Sequence, residues 1–210
     1  MSSPRHVAVI DIGKTNAKVA LVDLEMRSEL ATQKQLNRPR TDGLYPHHDV
    51  DAIWTFILNG LAALRREHPI DVISVTTHGA TAALVDAEGH LVLPVLDYEF
   101  GGPDALRQTY EEIRPAFSET GTPKLPAGLN LGAQLFWQQS TFPSLFEKAR
   151  HVLLYPQFWA AKLTGVLASE VTSLGCHTDL WIPYGRSFSS LVGAMHGANC
   201  FRRGAWRPTY

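Results

Sequence analysis

The stretch "VAVIDIGKTNAKVALVD", residues 7–23, decides the fold of this chain. Its two apolar runs, 7–12 and 17–22, are rich in the β-branched and aliphatic residues typical of strands. The Gly-Lys-Thr-Asn sequence between them suits a tight turn. One carboxylate, Asp11, stands near the end of the first run. The pattern therefore predicts strand, turn and strand, with a carboxylate held beside the turn.

Strands and helices alternate further along the chain. A third strand is predicted over 30–36, and Asp49 is a good N-cap for a helix whose apolar residues recur every three or four positions. The remaining predictions are strands over 71–76 and 151–154, a hairpin from 82–86 and 91–96, and helices near 103–114, 133–139, 144–149 and 157–163, the last ended by Gly165. Elements in this order predict an α/β domain with a mixed sheet.

Composition limits the kinds of partner. The 210 residues are 45% hydrophobic and 19% charged, which suits a globular chain with a full core. With 19 basic and 20 acidic residues the net charge is -1, so neither nucleic acid nor a membrane is expected as a partner. Cys176 and Cys200 form no Cys-x-x-Cys pair, and no signal-peptide core precedes the first strand. We expect a cytoplasmic protein that binds its ligand at a local site.

The first turn and its carboxylate suit the phosphates of a magnesium-bound nucleotide. A turn of Gly, Thr and Asn can direct N–H and hydroxyl groups at an anion, and Lys14 and Lys18 add positive charge. A carboxylate such as Asp11 can hold Mg²⁺ directly or through water. The alternative is an ordinary hairpin whose polar turn Asp11 caps. Neither the P-loop spacing nor Gly-x-Gly-x-x-Gly occurs in the chain.

Three segments, taken in order, resemble a known family. "DIGKTNAKVALVD" (11–23) is similar to the first phosphate motif of the actin, hexokinase and Hsp70-type ATPase superfamily. "ISVTTHGATAALVDAEGHLVLPVLDYE" (73–99) and "LYPQFWAAKLTGVLASEVTSLG" (154–175) resemble later segments of the FGGY carbohydrate kinases, especially the rhamnulokinase-like ones. The resemblance runs from Val7 to Trp181. It implies a ribonuclease H-like (actin-like ATPase) domain, with a mixed β-sheet flanked by helices.

The resemblance also implies a role for each matching residue. Asp11 would organise Mg²⁺, and the turn facing the transferred phosphate of ATP would consist of Gly13, Lys14, Thr15, Asn16 and Lys18. His78 and Gly79 would border the sugar, with Gly79 allowing close approach of the backbone. Sugar hydroxyls would bind the segment formed by Asp97, Tyr98 and Glu99, because carboxylates accept hydrogen bonds and Tyr offers a flat apolar face. The alternatives are a polar strand-end residue for His78 and an exposed acidic loop for 97–99.

The implied activity is ATP-dependent phosphorylation of a ketose or deoxyketose, such as a rhamnulose- or fuculose-like sugar, with Mg²⁺. Relatives take the base Asp and the adenine pocket from a second lobe, so no catalytic base is assigned; Asp179 lacks the Gly-rich setting of that base. We interpret 1–192 as the N-terminal sugar-binding domain and 193–210 as an atypical, irregular tail. With the C-terminal lobe absent, the truncated chain is expected to have little activity alone. A homodimer is left open.

Two other functions remain open. A different ATPase of the superfamily, chaperone-like or acetate-kinase-like, would keep the Asp11 turn, but a sugar would not protect it against thermal unfolding. A non-catalytic sugar- or nucleotide-binding fragment would bind its ligand without turnover. Neighbouring clusters are given less weight: Cys176, His177 and Asp179 are adjacent only in sequence, which does not make a triad. The adjacent histidines at 47–48 lack a third ligand for a metal.

Overall fold

The computed structural model describes residues 3–195 and the backbone of residues 208–209. These residues form two compact units. The first contains residues 3–40 and 48–78, and the second contains residues 41–47 and everything described from Gly79 onward.

The first unit is a four-stranded mixed sheet with one long helix. Its elements are β1 (His6–Ile12), β2 (Asn16–Asp23), β3 (Ser28–Leu36), α1 (Val50–Glu67) and β4 (Val72–Thr77). The strand order is β3-β2-β1-β4. The first three strands form an antiparallel meander, and β4 pairs with β1 in parallel. The predicted hairpin, third strand, helix and mixed sheet are confirmed.

Helix α1 covers one face of this sheet. The Asp49 side chain accepts a hydrogen bond from the backbone N–H of Ala52, so the predicted N-cap is confirmed. Gly60 lies so close to the sheet that an added Cβ would come within 3.1 Å of the Val19 side chain. Alternate residues of β1 (Ala8, Ile10 and Ile12) are fully buried, and period-2 alternation places Asp11 on the opposite face.

The second unit is built from short strands and helices. Its strands are β5 (Ala82–Val85), β6 (His151–Leu154), β7 (Ser169–Glu170), β8 (Trp181–Ile182), β9 (Ser187–Phe188) and β10 (Pro208–Thr209). Its helices are a 3-10 turn (Gly102–Leu106), α2 (Arg107–Ile113), α3 (Phe117–Thr120), α4 (Leu131–Thr141), α5 (Pro143–Phe146), α6 (Tyr155–Thr164), α7 (Val171–Leu174) and α8 (Ser190–Ala194). Gly165 ends α6 in the left-handed conformation, at φ 74°, as predicted.

One predicted strand is wrong. Residues 91–96 form only isolated bridges, from Leu91 to Val85 and from Leu96 to His47, and the antiparallel ladder partner of β5 is β6. The turn itself is present, since the Asp86 side chain accepts from the backbone N–H groups of Glu88 and His90. Pro94 has no N–H to donate, which explains why the ladder does not continue after this turn.

The irregular tail predicted for 193–210 falls mostly outside the described residues. Gly193 and Ala194 are the end of α8, so the tail prediction begins two residues too early. The backbone of β10 pairs in parallel with β7. Nothing in the remainder of the tail, 196–207 and 210, belongs to the described part of the chain.

Candidate functional site

The turn after β1 is closed by a backbone hydrogen bond of its own and is held by Asn37, the residue that directly follows β3. Gly13 donates its N–H to the carbonyl of Asn16 at 2.9 Å. Asn37, which is buried, donates its side-chain amide to the Gly13 carbonyl at 2.7 Å and its backbone N–H to the Thr15 carbonyl at 2.8 Å. Sequence reasoning missed Asn37, because a lone Asn at the start of a loop carries no signal of a contact 24 residues away.

Replacing Asn37 by alanine tests this clamp. The variant leaves the Gly13 carbonyl without its amide partner, so we expect the free energy of unfolding to fall by about 1–3 kcal/mol. Urea denaturation followed by circular dichroism measures the loss. Asn16→Ala is the matched control: the Asn16 side chain is exposed and, among the described residues, donates only to the Thr15 hydroxyl, so the loss of stability should stay below about 0.5 kcal/mol. Equal losses in the two variants would contradict the clamp.

The groups of the turn can serve a phosphate ligand. Thr15 and Asn16 are exposed, and the Asn16 amide donates to the Thr15 hydroxyl oxygen at 3.1 Å. A hydroxyl that accepts one bond still has its own hydrogen to donate, in this case to an anion. Lys14 is half-buried, and the Lys18 ammonium lies 3.1 Å from the Glu29 carboxylate. Lys18 therefore sits in an ion pair, while its role toward phosphate stays a prediction.

Asp11 is positioned as a single carboxylate beside this turn. It is half-buried and lies opposite Lys18 in the β1–β2 register. In the described residues, no group of three or more His, Cys, Asp or Glu side chains could hold a metal. Mg²⁺ typically uses one or two carboxylates and completes its shell with phosphate oxygens and water. The Asp11 carboxylate is a donor of the kind that Mg²⁺ uses.

The parallel pairing of β1 and β4 brings a second predicted segment to the same sheet edge. Asp11 lies opposite Thr76, and the next pair is Ile12 with Thr77. The backbone N–H of His78 continues the ladder by donating to the Ile12 carbonyl at 3.0 Å. Because both strands are parallel, their carboxyl ends meet at one edge. The Asp11 turn and His78 are therefore neighbours.

His78 has a histidine neighbour that the sequence did not reveal. The His48 ring is 1% exposed, and its centroid lies 5.0 Å from that of His78, with the two planes tilted by 35°. His48 comes just before the N-cap of α1, so the start of that helix packs against the end of β4. Thirty residues separate the two rings in sequence, which is why spacing alone gave no signal.

Gly79 and Ala80 begin the second unit with an open turn. An added Cβ on Gly79 would meet no heavy atom of the described residues within 4 Å. Ala80 adopts a left-handed conformation, at φ 53°, which is uncommon for a residue with a side chain. The protein's own packing therefore does not require glycine at 79, and the space above it is open to a ligand.

The segment 97–99 is only partly the exposed acidic loop that was the alternative. Asp97 is 8% exposed; its backbone donates to the Pro46 carbonyl at 3.0 Å and its side chain accepts from the Glu99 N–H at 3.1 Å. Tyr98 is half-buried, and its carbonyl accepts from Gly128 at 2.9 Å. Glu99 is exposed. Asp97 thus shapes the segment, while the other two side chains border solvent.

Asp179 belongs to a buried network. It is fully buried and accepts hydrogen bonds from Arg114 Nε at 3.0 Å, Arg114 Nη2 at 3.1 Å and the Tyr110 hydroxyl at 2.8 Å. Burial raises the pKa of Asp179, and the hydrogen bonds from Arg114 and Tyr110 oppose that rise. Every oxygen is engaged by a structural partner, so this carboxylate stays unassigned as a base. Cys176 and His177 are exposed beside it.

A profile of the "FGGY family of carbohydrate kinases, N-terminal domain" matches residues 6–180. An L-fuculokinase from Salmonella typhi is 26% identical over 175 residues, covering 80% of this chain and 37% of that protein. A rhamnulokinase from Klebsiella pneumoniae (strain 342) is 27% identical over 194 residues, covering 85% of this chain and 39% of that protein. A solved carbohydrate kinase from Novosphingobium aromaticivorans superposes with a TM-score of 0.85 at 36% identity, covering 99% of this chain and 42% of that one.

These comparisons confirm the fold class predicted from the sequence. The matched range agrees closely with the resemblance that runs from Val7 to Trp181. The fold is that of the carbohydrate kinases, a ribonuclease H-like (actin-like ATPase) domain. The chain spans about two fifths of the length of the proteins it matches. No helix in the described part of the chain is both long and apolar enough to cross a bilayer.

Proposed function

Because this chain belongs to the FGGY family of carbohydrate kinases, we propose that it supplies the sugar-binding side of an enzyme that phosphorylates a ketose with ATP. The sugar class is a ketose or deoxyketose, in keeping with relatives that are named L-fuculokinase and rhamnulokinase. Residues 1–192 are taken as this domain, since the family match covers 6–180. The cytoplasm, where ATP is plentiful, is the proposed location.

The observation that carries the proposal is the sheet edge shared by β1 and β4. The register that sets Asp11 opposite Thr76, together with the bond from His78 N–H to the Ile12 carbonyl, puts a carboxylate, a polar turn and an imidazole at one edge. Phosphoryl transfer depends mainly on positioning and on electrostatic stabilisation of the phosphate. A kinase needs phosphate-facing and acceptor-facing groups at one place, and this edge offers both kinds.

On the phosphate side, Asp11 is proposed to hold Mg²⁺ with its side chain. The ion, when bound with ATP, would neutralise charge on the phosphate oxygens. The turn residues Gly13, Lys14, Thr15 and Asn16 would orient the phosphate through N–H and hydroxyl donors. Lys18, in its ion pair with Glu29, would add positive charge beside Asp11.

On the sugar side, the proposed contacts lie at the turn after β4 and in the segment 97–99. The backbone at Gly79 would let a sugar approach closely, and His78 would donate to or accept from a hydroxyl. Tyr98 and Glu99 border solvent and would meet the sugar with an aromatic face and a carboxylate. Asp97 would contribute to sugar binding by fixing the shape of the segment 97–99, and its carboxylate oxygens would accept hydrogen bonds from sugar hydroxyls. The base that accepts the hydroxyl proton is not assigned to a described residue.

Replacing Gly79 by alanine tests the sugar site. Isothermal titration of the wild-type chain with L-rhamnulose, L-fuculose and D-xylulose, with and without Mg-ATP, first identifies the ketose it binds. Since the added methyl meets no atom within 4 Å in the part of the chain that the structure describes, Gly79→Ala should leave the melting temperature unchanged. The same methyl would occupy the space proposed for the sugar, so we expect the ketose Kd to rise at least tenfold.

Gly193→Ala is the matched control, because its Cβ also meets no atom of the described residues within 4 Å and it lies in α8, outside the predicted sugar segments. It should leave the Kd unchanged. Wild-type affinity in Gly79→Ala would contradict the sugar site. Mg-ATP binding with no response to any ketose would favour another ATPase of the superfamily.

A further inference from the structure

We propose that Gln134 is a positioning residue that ties the turn after His78 to the segment 97–99, and so fixes the shape of the sugar site. The inference rests on the proposed function, because it concerns the same site. Gln134 lies on α4 and is 2% exposed. No sequence pattern marked Gln134, because its partner Ala80 lies 54 positions away in the chain.

The amide of Gln134 connects two separate stretches of backbone. Its Nε2 donates to the Ala80 carbonyl at 2.6 Å, and it also donates to the Gly128 carbonyl. Ala80 is the left-handed residue that directly follows Gly79. A primary amide nitrogen has two hydrogens, and here each one goes to a different carbonyl. One side chain therefore anchors both partners.

Gly128 contacts the predicted sugar segment 97–99 directly. Its N–H donates to the Tyr98 carbonyl at 2.9 Å, and a Cβ added to it would lie 2.9 Å from the Tyr98 Cα. This approach is too close for any side chain, so the two backbones pack directly against each other. Gln134 thus holds Ala80 on one side and, through Gly128, Tyr98 on the other.

The left-handed conformation of Ala80 depends on the hydrogen bond from Gln134. A residue with a side chain in that conformation is strained and persists where its surroundings hold it. Removing the amide would release the Ala80 carbonyl, and the turn carrying Gly79 would relax. Sugar affinity depends on a spatial match between the hydroxyls and the groups that meet them, so a relaxed turn weakens binding without removing any contacting side chain.

The experiment compares two glutamines on the same helix. Gln138 is also buried and donates to the Tyr45 hydroxyl at 2.9 Å, but to neither sugar-facing stretch. Gln134→Met and Gln138→Met each remove one buried amide at similar volume. We expect both variants to lose stability, whereas only Gln134→Met raises the Kd for the ketose that the wild type binds, by tenfold or more. Isothermal titration and thermal unfolding give the two readouts.

A second variant covers the case in which Gln134→Met does not fold. In Gln134→Glu, a protonated carboxyl can donate one hydrogen bond, whereas an ionised one faces two carbonyl oxygens with no hydrogen to offer. The ratio of the variant's Kd to the wild-type Kd should therefore increase between pH 5 and pH 8. A purely structural role would leave that ratio flat.

The outcomes separate the inference from the proposed function. Ketose binding by the wild type, with unchanged affinity in Gln134→Met or a flat ratio in Gln134→Glu, overturns the positioning role and leaves the proposed function standing. Equal loss of affinity in both methionine variants also overturns it. A wild-type chain that binds none of the three ketoses overturns the proposed function and the inference together.

Discussion

Asp179→Ala is expected to lower the free energy of unfolding by about 3–5 kcal/mol, because removing one partner of a buried ion pair leaves the other charge uncompensated. The Arg114 side chain is 6% exposed, and Asp179 takes two of its N–H groups. Without Asp179, the guanidinium keeps the Thr122 carbonyl, at 2.7 Å, as its remaining acceptor within the described residues. The Tyr110 hydroxyl loses its acceptor as well.

Urea denaturation with two comparison variants checks this prediction. Glu25→Ala breaks the exposed pair with Arg5 and should cost less than about 1 kcal/mol. Combining Asp179→Leu with Arg114→Met removes both charges, and most of the lost stability should return. A loss from Asp179→Ala no larger than that from Glu25→Ala would show that the buried network does not hold the second unit together.

Gly132→Val is expected to cost about 3 kcal/mol through overpacking. Gly132 lies in α4, and an added Cβ would come within 2.7 Å of the Thr178 carbonyl and of a Leu191 methyl, with the Tyr110 hydroxyl closer still. Backbone cannot move aside as the end of a flexible side chain can. The strain therefore falls on the packing of α4 against its neighbours.

Gly193→Val separates this clash from the general cost of changing a helical glycine. Gly193 is in α8, and a Cβ added there meets no atom of residues 3–195 within 4 Å. Thermal unfolding of the two variants should show a large fall in melting temperature for Gly132→Val and little change for Gly193→Val. Similar melting temperatures would contradict the tight packing at Gly132.

The sequence predicted those elements whose stabilising interactions are made between residues close together in the chain. The hairpin around Gly13, the Asp49 cap, the strand His151–Leu154 and the Gly165 stop all depend on residues within a few positions. The error at 91–96 has the same origin, because the aliphatic and β-branched residues of this run favour a strand, whereas Pro94 has no N–H for a ladder. The strands of two residues offer too few positions for a period to appear.

The residues that hold the candidate site together could not be predicted in this way. Asn37 reaches Gly13 across 24 positions and Gln134 reaches Ala80 across 54; in the buried network outside the site, Arg114 likewise reaches Asp179 across 65. Each is a polar side chain whose partner is a backbone group or charge brought close only by the fold. The resemblance to relatives supplied the residues proposed to face the ligands, while the residues supporting them came from the structure.

The proposed sugar and phosphate roles are tested most directly by ¹H–¹⁵N NMR titration of the full chain. Adding the bound ketose should shift the backbone amides of His78, Gly79 and Tyr98, and adding Mg-ATP should shift those of residues 13–16. At low ligand concentrations, each ligand should shift only the amides assigned to it. The control amide of Gly193 should not shift with either ligand. Ketose shifts confined to other parts of the chain, or no shift of residues 13–16 with saturating Mg-ATP, would contradict the proposed kinase site.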